Sequence, residues 1–321
     1  MKCKIARKQA PTSKQISLIL NVNWNATLMS YFITLCVAAL LGLGAVRPAL
    51  AAAVASDLQP DRLTLYRTVN GLELKLHTFE PAGLKPSDRR AAIVFFFGGG
   101  WSGGDAKQFY QHARALADQG MVAFSADYRV KSRNQTTPFE CVQDARAAIR
   151  WVRAHAAEWG IDPDRIVASG GSAGGHLAAC TAVIVDGDKA SENATFSSVP
   201  NALVLFNPVL DTTAKGYGAK NFKAEQQTTL SPCHHVRPGL VPTIVFHGTA
   251  DKTVPFENAE RFTRLMHAAG NTCVLVPFEG KDHGFFNGPF FRPSNDRADY
   301  ALTMKRTAEF LAAHGFLGAQ R

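Results

Sequence analysis

The sequence has few cysteines, and none of them is spaced as in a metal or redox motif. Six cysteines occur in 321 residues, and no two form a C-x-x-C pair. Zinc ribbons and thioredoxin-like redox centres are therefore not expected. Cys3 and Cys36 fall within the first 51 residues. The other four allow either one disulfide or buried thiols, and buried thiols are favoured; they are Cys141, Cys180, Cys233 and Cys273.

Acidic residues are absent from the first 51 residues, and this absence changes what the net charge means. The whole chain has 35 Lys and Arg against 26 Asp and Glu, a formal net charge of +9. Six of the basic residues lie in that first segment, which leaves 29 basic against 26 acidic residues, a net charge of +3, in the remainder. A basic leader is not a DNA-binding surface, so no nucleic-acid partner is expected.

Long hydrophobic runs are scarce, and the one near the N-terminus is typical of an export signal. Residues 31–46 are apolar, and residues 47–51, RPALA, contain an A-x-A cleavage site. The run is short for a membrane span of about 20 residues. We predict a signal peptide over residues 1–51 and export to the periplasm or the outside of the cell. A start at Met29 and a single membrane anchor are the alternatives; after signal cleavage no stable membrane span is expected.

Internal repeats, low-complexity runs and long linkers are also absent, so residues 52–321 are predicted to form a single domain. Apolar runs of strand length alternate with stretches of helical period. The predicted strands cover residues 62–69, 72–79, 91–97, 121–127, 165–169, 202–206, 243–246 and 272–276. The predicted helices cover residues 105–119, 138–159, 173–185, 255–269 and 295–314. This alternation predicts an α/β fold, with a mostly parallel eight-stranded sheet, helices on both faces, and residues 211–241 as a loop or small cap.

The strongest chemical motif lies at residues 170–174, where GGSAG fits the pattern G-x-S-x-G. In that pattern the serine occupies the tip of a sharp turn between a strand and a helix. Small neighbours allow the chain to fold back tightly. We therefore predict Ser172 as a nucleophile. An ordinary glycine-rich turn is the alternative, and a dinucleotide loop is disfavoured because the G-x-G-x-x-G spacing is missing.

A serine hydroxyl needs a base to take its proton, and a histidine on a loop can serve. Among the ten histidines, His283 is the best placed, because it lies just past the last predicted strand. Asp251 follows another strand and is predicted to orient the imidazole. The order Ser172, Asp251, His283 is the chain order of catalytic triads in α/β-hydrolases.

Other polar residues are given lesser roles. Asp282, beside the predicted base, competes for the role of the acid. His247 is expected to support the loop after its strand, and His176 to pack beneath the serine turn. Asp127 is expected to be a structural acid paired with Arg129.

Two further patterns concern metals and backbone donors. The pair His234-His235 beside Cys233 suggests zinc, but no second pair of ligands at metal spacing is found, so neither a metal nor a cofactor is expected. Three glycines at residues 98–100 directly follow the third strand and favour an oxyanion hole, because backbone N–H groups without side chains can face a developing charge. The second donor should be the N–H of Ala173, which follows the nucleophile.

Taken together, these pieces resemble the α/β-hydrolase esterases, in particular the acetyl-esterase and carboxylesterase branch related to hormone-sensitive lipase, which includes bifunctional feruloyl and acetyl-xylan esterases. The segments that carry the resemblance are residues 98–101, 127–129, 170–176, the loop of Asp251 and residues 282–285. The resemblance implies a serine triad without cofactor and oxyanion donors at Gly99, Gly100 or Trp101, plus Ala173. The chain departs from the family pattern at Phe97, where a histidine usually precedes the glycines.

The substrate is predicted from weaker signals. Short acyl esters are favoured because the length leaves little room for a lipase-type cap. Phe285 and Phe286 either wall an acyl pocket or pack in the core, and Trp101 either stacks on a sugar or aromatic ring or is structural. Export favours a small-molecule ester or an acetylated or feruloylated plant polysaccharide as the partner; the oligomeric state stays open.

Two rival functions share the scaffold. A serine peptidase of the prolyl-oligopeptidase type would use the same triad, but such enzymes usually carry a large additional N-terminal domain. A non-catalytic binding protein on a hydrolase scaffold would tend to lose its nucleophile or base, whereas Ser172, Asp251 and His283 are all present. An assay with amide substrates separates the first rival from an esterase.

Overall fold

One eight-stranded sheet organises the chain. The computed structural model describes residues 58–184 and 195–318, so the predicted signal peptide lies outside the described residues. The strand order is β1-β2-β4-β3-β5-β6-β7-β8. The strands are β1 (Arg62–Val69), β2 (Leu72–Phe79), β3 (Arg90–Phe96), β4 (Val122–Ala126), β5 (Ile161–Gly171), β6 (Ala202–Phe206), β7 (Thr243–Gly248) and β8 (Cys273–Phe278). Only β2 runs against its neighbours, pairing antiparallel with β1 and β4, and the remaining pairs are parallel.

The burial of each strand follows its place in the sheet. The central strands β4, β6 and β7 are buried at every residue, as expected where helices cover both faces of a parallel sheet. The edge strands β1 and β8 are partly exposed. A tight turn joins β1 to β2, in which Asn70 and Gly71 have positive φ angles of 50° and 82°. The predicted hairpin and the α/β architecture are confirmed.

Within residues 58–184 and 195–318, six α-helices accompany the sheet. They are α1 (Tyr110–Ala117), α2 (Lys131–Asn134), α3 (Pro138–Ala154), α4 (Ala173–Val183), α5 (Glu257–Ala268) and α6 (Arg297–Ala313). A capping box between Thr137 and Glu140 starts α3, with Pro138 at its first position. Helix α1 contacts α6, and α3 contacts α4, so two separate helical layers flank the strands. None of the helices in the described ranges is long and apolar enough to cross a lipid bilayer.

Several element boundaries differ from the sequence prediction. Helix α3 ends at Ala154 rather than at 159, and β5 begins at Ile161 rather than at 165. Gly160, directly before β5, has a left-handed φ of 60°, and the residues between Ala154 and β5 form turns. The predicted helix over residues 105–119 is divided into a 3₁₀ turn, Ala106–Phe109, and α1. The short helix α2 was not predicted.

The segment over residues 211–241 is a loop with three single 3₁₀ turns, as the missing periodicity predicted. The four cysteines of the described ranges are buried free thiols, so the disulfide alternative is wrong for these four. His234 and His235 also lie in this segment. His234 Nδ1 is 2.8 Å from Ser231 Oγ, and His235 Nε2 is 2.9 Å from the Thr228 carbonyl oxygen. Cys3 and Cys36 lie outside the described residues.

Candidate active site

The predicted site residues follow the carboxyl ends of neighbouring strands. Residues 98–101 come after β3, Ser172 after β5, Asp251 after β7 and His283 after β8. Because β3, β5, β6, β7 and β8 are parallel and adjacent, these ends lie along one edge of the sheet. The fold therefore brings residues from distant parts of the sequence to one edge.

Ser172 stands at a strained turn between β5 and α4. Its φ of 55° and ψ of −119° are unusual for a residue with a side chain. A Cβ at Gly174 would overlap the carbonyl oxygens of Phe96 and Phe97, and one at Gly170 would overlap that of Phe96. Glycine is thus required where the turn approaches β3. This geometry corresponds to the nucleophile elbow.

Asp251 and His283 are joined by a hydrogen bond. The distance from His283 Nδ1 to Asp251 Oδ2 is 2.7 Å. Because a carboxylate only accepts, the Nδ1–H donates, which leaves Nε2 as an acceptor for a serine proton. The other oxygen of Asp251 accepts from the backbone N–H groups of Thr253 and Val254, at 2.8 and 2.9 Å. Asp251 is therefore held from both oxygens, and it holds the imidazole in one tautomer.

A second histidine supports the same carboxylate. His247 Nε2 lies 3.2 Å from Asp251 Oδ2 and 2.9 Å from the Val254 carbonyl oxygen. Burial alone raises the pKa of Asp251, but the hydrogen bonds from His247 and His283, with those of the backbone, hold that pKa well below its usual range. The carboxyl group is thus ionised at neutral pH. His247 supports the loop after β7, as its sequence position suggested.

Two other acids are bound elsewhere. Asp282 accepts the N–H of Gly284 at 3.0 Å, so its carboxylate caps the loop of the base. The expected pair between Asp127 and Arg129 is wrong. Both residues follow the end of β4 at Ala126, but they contact different partners. Asp127 Oδ1 lies 3.3 Å from His77 Nε2, and Arg129 Nε lies 2.8 Å from Asp144 Oδ2 of α3.

The glycine loop after β3 has the geometry of an anion-binding turn. Gly99, Gly100 and Trp101 all have positive φ angles, of 123°, 60° and 59°. Among the described residues, no acceptor is found for their three backbone N–H groups. The N–H of Ala173, at the start of α4, belongs to the first helical turn, whose donors have no carbonyl partner within the helix. The resemblance implied oxyanion donors at Gly99, Gly100 or Trp101, plus Ala173, and that role stays a prediction.

The predicted nucleophile and the predicted base line the same cavity, which has a volume of about 460 Å³. Phe286 lines it, whereas Phe285 does not and stacks on Phe278 at 4.3 Å between ring centroids. Trp101 is 2 % exposed and does not line this cavity. The lining residues are Gly98, Gly99, Gly100, Ser102, Gly104, Asp105, Gln108, Ser172, Tyr217, Lys220, Asn221, Thr253, His283, Phe286, Asn287, Phe291 and Arg292.

Comparison with known proteins identifies the family. The model of the BD-FAE family matches residues 79–266, more than half of the chain. The chain belongs to the BD-FAE family. The structure of Thermogutta terrifontis esterase 2 in its apo form is 49% identical, with a TM-score of 0.76, over 82% of this chain and 98% of that one. The predicted esterase family and α/β-hydrolase fold are confirmed.

Curated relatives carry esterase names too. An acetylxylan esterase of Xylanibacter ruminicola is 29% identical over 64% of this chain and 43% of its own length. The carboxylesterase NlhH of Mycobacterium tuberculosis is 29% identical over 72% of this chain and 78% of its own length. The chain spans about half the length of the first curated relatives it matches.

This BD-FAE member steadies its glycine loop without the histidine that was expected before the glycines. Phe97 stacks on Tyr128, with 4.0 Å between ring centroids, and the Tyr128 hydroxyl donates to the Phe97 carbonyl oxygen at 2.7 Å. Further along, Trp101 Nε1 donates to His176 Nδ1 at 3.2 Å. His176 Nε2 must then carry its proton, and it donates to the Leu230 carbonyl oxygen at 2.6 Å. Burial lowers the pKa of His176 to about 4, so this ring is neutral.

Sequence reasoning missed three amide side chains in this site. Gln108 Oε1 accepts the N–H of Gly98 at 2.7 Å, and its Nε2 donates to Asn287 Oδ1 at 2.8 Å. Asn207, directly after β6, donates to the His283 carbonyl oxygen at 2.6 Å. Asn207 could have been found, because it occupies the same position after its strand as Ser172 does after β5. No sequence signal relates Gln108 to Asn287.

Proposed function

We propose that the protein is a serine carboxylic-ester hydrolase with Ser172 as nucleophile, His283 as base and Asp251 as the orienting acid. The observation that carries the proposal is the hydrogen bond from His283 to Asp251, at 2.7 Å, beside the cavity that Ser172 also lines. A positioned imidazole can take the proton of a serine hydroxyl. The esterase names of the relatives support the same reaction class.

The proposed reaction has two acyl-transfer steps. Ser172 Oγ attacks the ester carbonyl carbon while its proton passes to His283 Nε2. The carbonyl oxygen becomes an oxyanion bound by N–H groups of the glycine loop and of Ala173. The C–O bond to the alcohol then breaks, and His283 gives its proton to the leaving oxygen. Water, activated by the same histidine, attacks the acyl-enzyme and releases the acid, which regenerates the serine.

We propose short acyl groups as the substrates. The cavity is about 460 Å³, and the buried ring of Phe286 forms part of its wall. Thermogutta terrifontis esterase 2 has been solved with butyrate and with propionate bound. An acetyl or feruloyl ester of a plant polysaccharide, hydrolysed outside the cytoplasm, is the natural substrate that we propose. The acetylxylan esterase among the relatives and the signal peptide predicted over residues 1–51 support this choice.

The test is the hydrolysis of 4-nitrophenyl esters from acetate to decanoate by the mature protein. We compare the wild type with Ser172→Ala and with the control Ser87→Ala, which removes an exposed serine outside the cavity. We expect fast turnover of acetate and butyrate, a decline toward decanoate, and a loss of several orders of magnitude in Ser172→Ala only.

Other results would identify a different function. Turnover that survives Ser172→Ala would remove this serine as the nucleophile. Cleavage of a peptidyl 4-nitroanilide at rates above those for esters would favour the peptidase. A protein that binds ligands but hydrolyses neither class would be a scaffold without catalysis.

A further inference from the structure

A second cavity, of about 310 Å³, adjoins the one that contains Ser172. The two cavities share wall residues Gly100, Ser102, Lys220 and Asn221. Gly100 belongs to the glycine loop, so the second cavity opens beside the position proposed for the carbonyl oxygen. The second cavity is therefore the neighbouring space that a group attached to the ester would reach past these shared residues.

The far wall of the second cavity is the turn between α2 and α3. Lys131, Gln135, Thr136 and Thr137 line it from this side. Gln135 has a left-handed φ of 55°, and its backbone N–H donates to the Lys131 carbonyl oxygen at 2.9 Å, which closes α2. This wall offers a ligand the ammonium group of Lys131 and the amide of Gln135, whereas Thr136 Oγ1 is buried and the hydroxyl of Thr137 already donates to Glu140. With the amide of Asn221 opposite, the cavity has two amide groups that can bind the hydroxyl groups of a ligand.

The charge of the second cavity is positive. Lys131 and Lys220 both line it, and no carboxylate does so among the described residues. Neither lysine has an ion pair or hydrogen bond from its ammonium group within the ranges that the structure describes. Glu140, three residues past Thr137, accepts from the backbone N–H and the hydroxyl of Thr137 in the capping box of α3. Two unpaired ammonium groups beside uncharged polar groups favour an anionic ligand.

We propose that the second cavity binds the alcohol part of the ester, and that this alcohol is a hydroxyl-rich group with a carboxylate, such as a uronic acid residue. The proposal rests on the proposed esterase function, because it concerns the leaving group of the same reaction. The lysines attract the carboxylate, and Gln135 and Asn221 are placed to bind hydroxyl groups. Trp101 and Pro138 supply the apolar part of the wall.

The test uses two substrates that differ in one group. Methyl 3-O-acetyl-glucuronoside and methyl 3-O-acetyl-glucoside carry the same acetyl ester and differ only in having a carboxylate or a hydroxymethyl group at C6. We measure kcat/KM on both for the wild type, Lys131→Gln, Lys131→Arg and the control Lys107→Gln, which removes an exposed lysine that lines neither cavity. The hydrolysis of 4-nitrophenyl acetate by the wild type is measured in parallel.

We expect the wild type to prefer the glucuronoside by about three- to tenfold at low salt, as two exposed ion pairs allow. Lys131→Gln should lower this ratio about threefold, Lys131→Arg and Lys107→Gln should retain it, and salt should weaken it. Equal kcat/KM on the two sugars, or a ratio that is unchanged in Lys131→Gln, would overturn the proposed binding of the carboxylate. If 4-nitrophenyl acetate is hydrolysed in the same experiment, the proposed esterase function is retained. A wild type inactive on 4-nitrophenyl acetate would overturn the proposed function itself.

Discussion

Gln108 and Asn287 are 179 residues apart in sequence, yet the Nε2 of the first donates to the Oδ1 of the second at 2.8 Å. Each amide continues the chain of hydrogen bonds. Gln108 Oε1 accepts from the N–H of Gly98, and Asn287 Nδ2 donates to the carbonyl oxygen of Gly284 at 2.9 Å. Gly98 begins the glycine loop and Gly284 follows the predicted base. The pair therefore links the loop of the oxyanion donors to the loop of His283.

We expect Gln108→Leu to impair catalysis more than binding. The change leaves the N–H of Gly98 and the oxygen of Asn287 without their buried partners, which should lower the free energy of unfolding by about 1–3 kcal/mol. A displaced glycine loop should lower kcat roughly 10- to 100-fold on 4-nitrophenyl acetate, with KM changed little. Urea denaturation and steady-state kinetics measure the two effects.

Two further variants show whether the link itself is responsible. Gln108→Glu retains an oxygen acceptor for Gly98 and should keep more of kcat than Gln108→Leu. Gln143→Leu removes an exposed glutamine of α3 and should leave both quantities unchanged. A folded Gln108→Leu protein with wild-type kcat would show that the link has no part in positioning the donors.

The elbow makes a separate prediction about backbone contact. At Gly174 an added Cβ would overlap the carbonyl oxygens of Phe96 and Phe97, which belong to a buried strand end that cannot move freely. We expect Gly174→Ala to fold poorly or to melt well below the wild type. At Gly103 an added Cβ meets nothing within 4 Å. Gly103→Ala is thus the matched control, and equal melting temperatures for the two variants would contradict the predicted close packing at the elbow.

The sequence carries the architecture because each strand is specified locally. Runs such as Ala202–Phe206 are apolar throughout, and the turn of Asn70 and Gly71 is a strong local signal. The start of β5 was missed because Ile161 is followed by acidic residues and Pro163, which are typical of a loop. In the structure Ile161 pairs with Arg90 before a shift of register. The first residue of β5 is therefore determined by its pairing with β3, which the sequence around Ile161 does not reveal.

In the site, too, some features follow from the local sequence and others depend on contacts between distant elements. The places of Ser172, Asp251 and His283 after their strands could be predicted because each belongs to a local motif, while their catalytic roles stay a proposal. The partners of Asp127 and Arg129 could not, because these residues lie past the end of β4, where alternation no longer fixes direction. Trp101 could be placed in the glycine loop, but its burial against His176 depends on α4 and on residues 211–241. Contacts between distant elements are therefore the part that required the structure.

Asp251 and Asp282 give a matched test of the triad. The pKa of Asp251 is lower in the folded protein than the ordinary carboxyl pKa of about 3.9. The ionised carboxylate therefore stabilises the fold fully above pH 3.9, and this stabilisation is lost only as the pH falls below that value. From pH 5 to 8 the carboxylate stays ionised, so protonation of Asp251 cannot account for a fall of activity within that range. We expect Asp251→Asn to lose kcat roughly 10⁴-fold and Asp282→Asn, which keeps an acceptor for Gly284, to change little. Equal losses of kcat in the two variants would contradict this triad.

A buried histidine should make the folded state sensitive to acid. Burial lowers the pKa of His112 to about 3, and its Nε2 donates to the Phe286 carbonyl oxygen at 3.2 Å, while Nδ1 has no partner in the described protein. The unfolded chain takes up a proton near the ordinary imidazole pKa of about 6.5, whereas the folded chain does not. Stability should therefore fall as the pH drops from about 6.5 toward 4, by up to about 1.4 kcal/mol per pH unit for this group. His112→Phe, among the rings of Phe95 and Phe109, should reduce that slope in urea denaturation at pH 4.5 to 7. The control is His314→Gln, at the C-terminal end of α6, which tests whether the loss of any histidine has the same effect. If stability depends on pH as steeply in His112→Phe as in the wild type, His112 does not set the acid sensitivity.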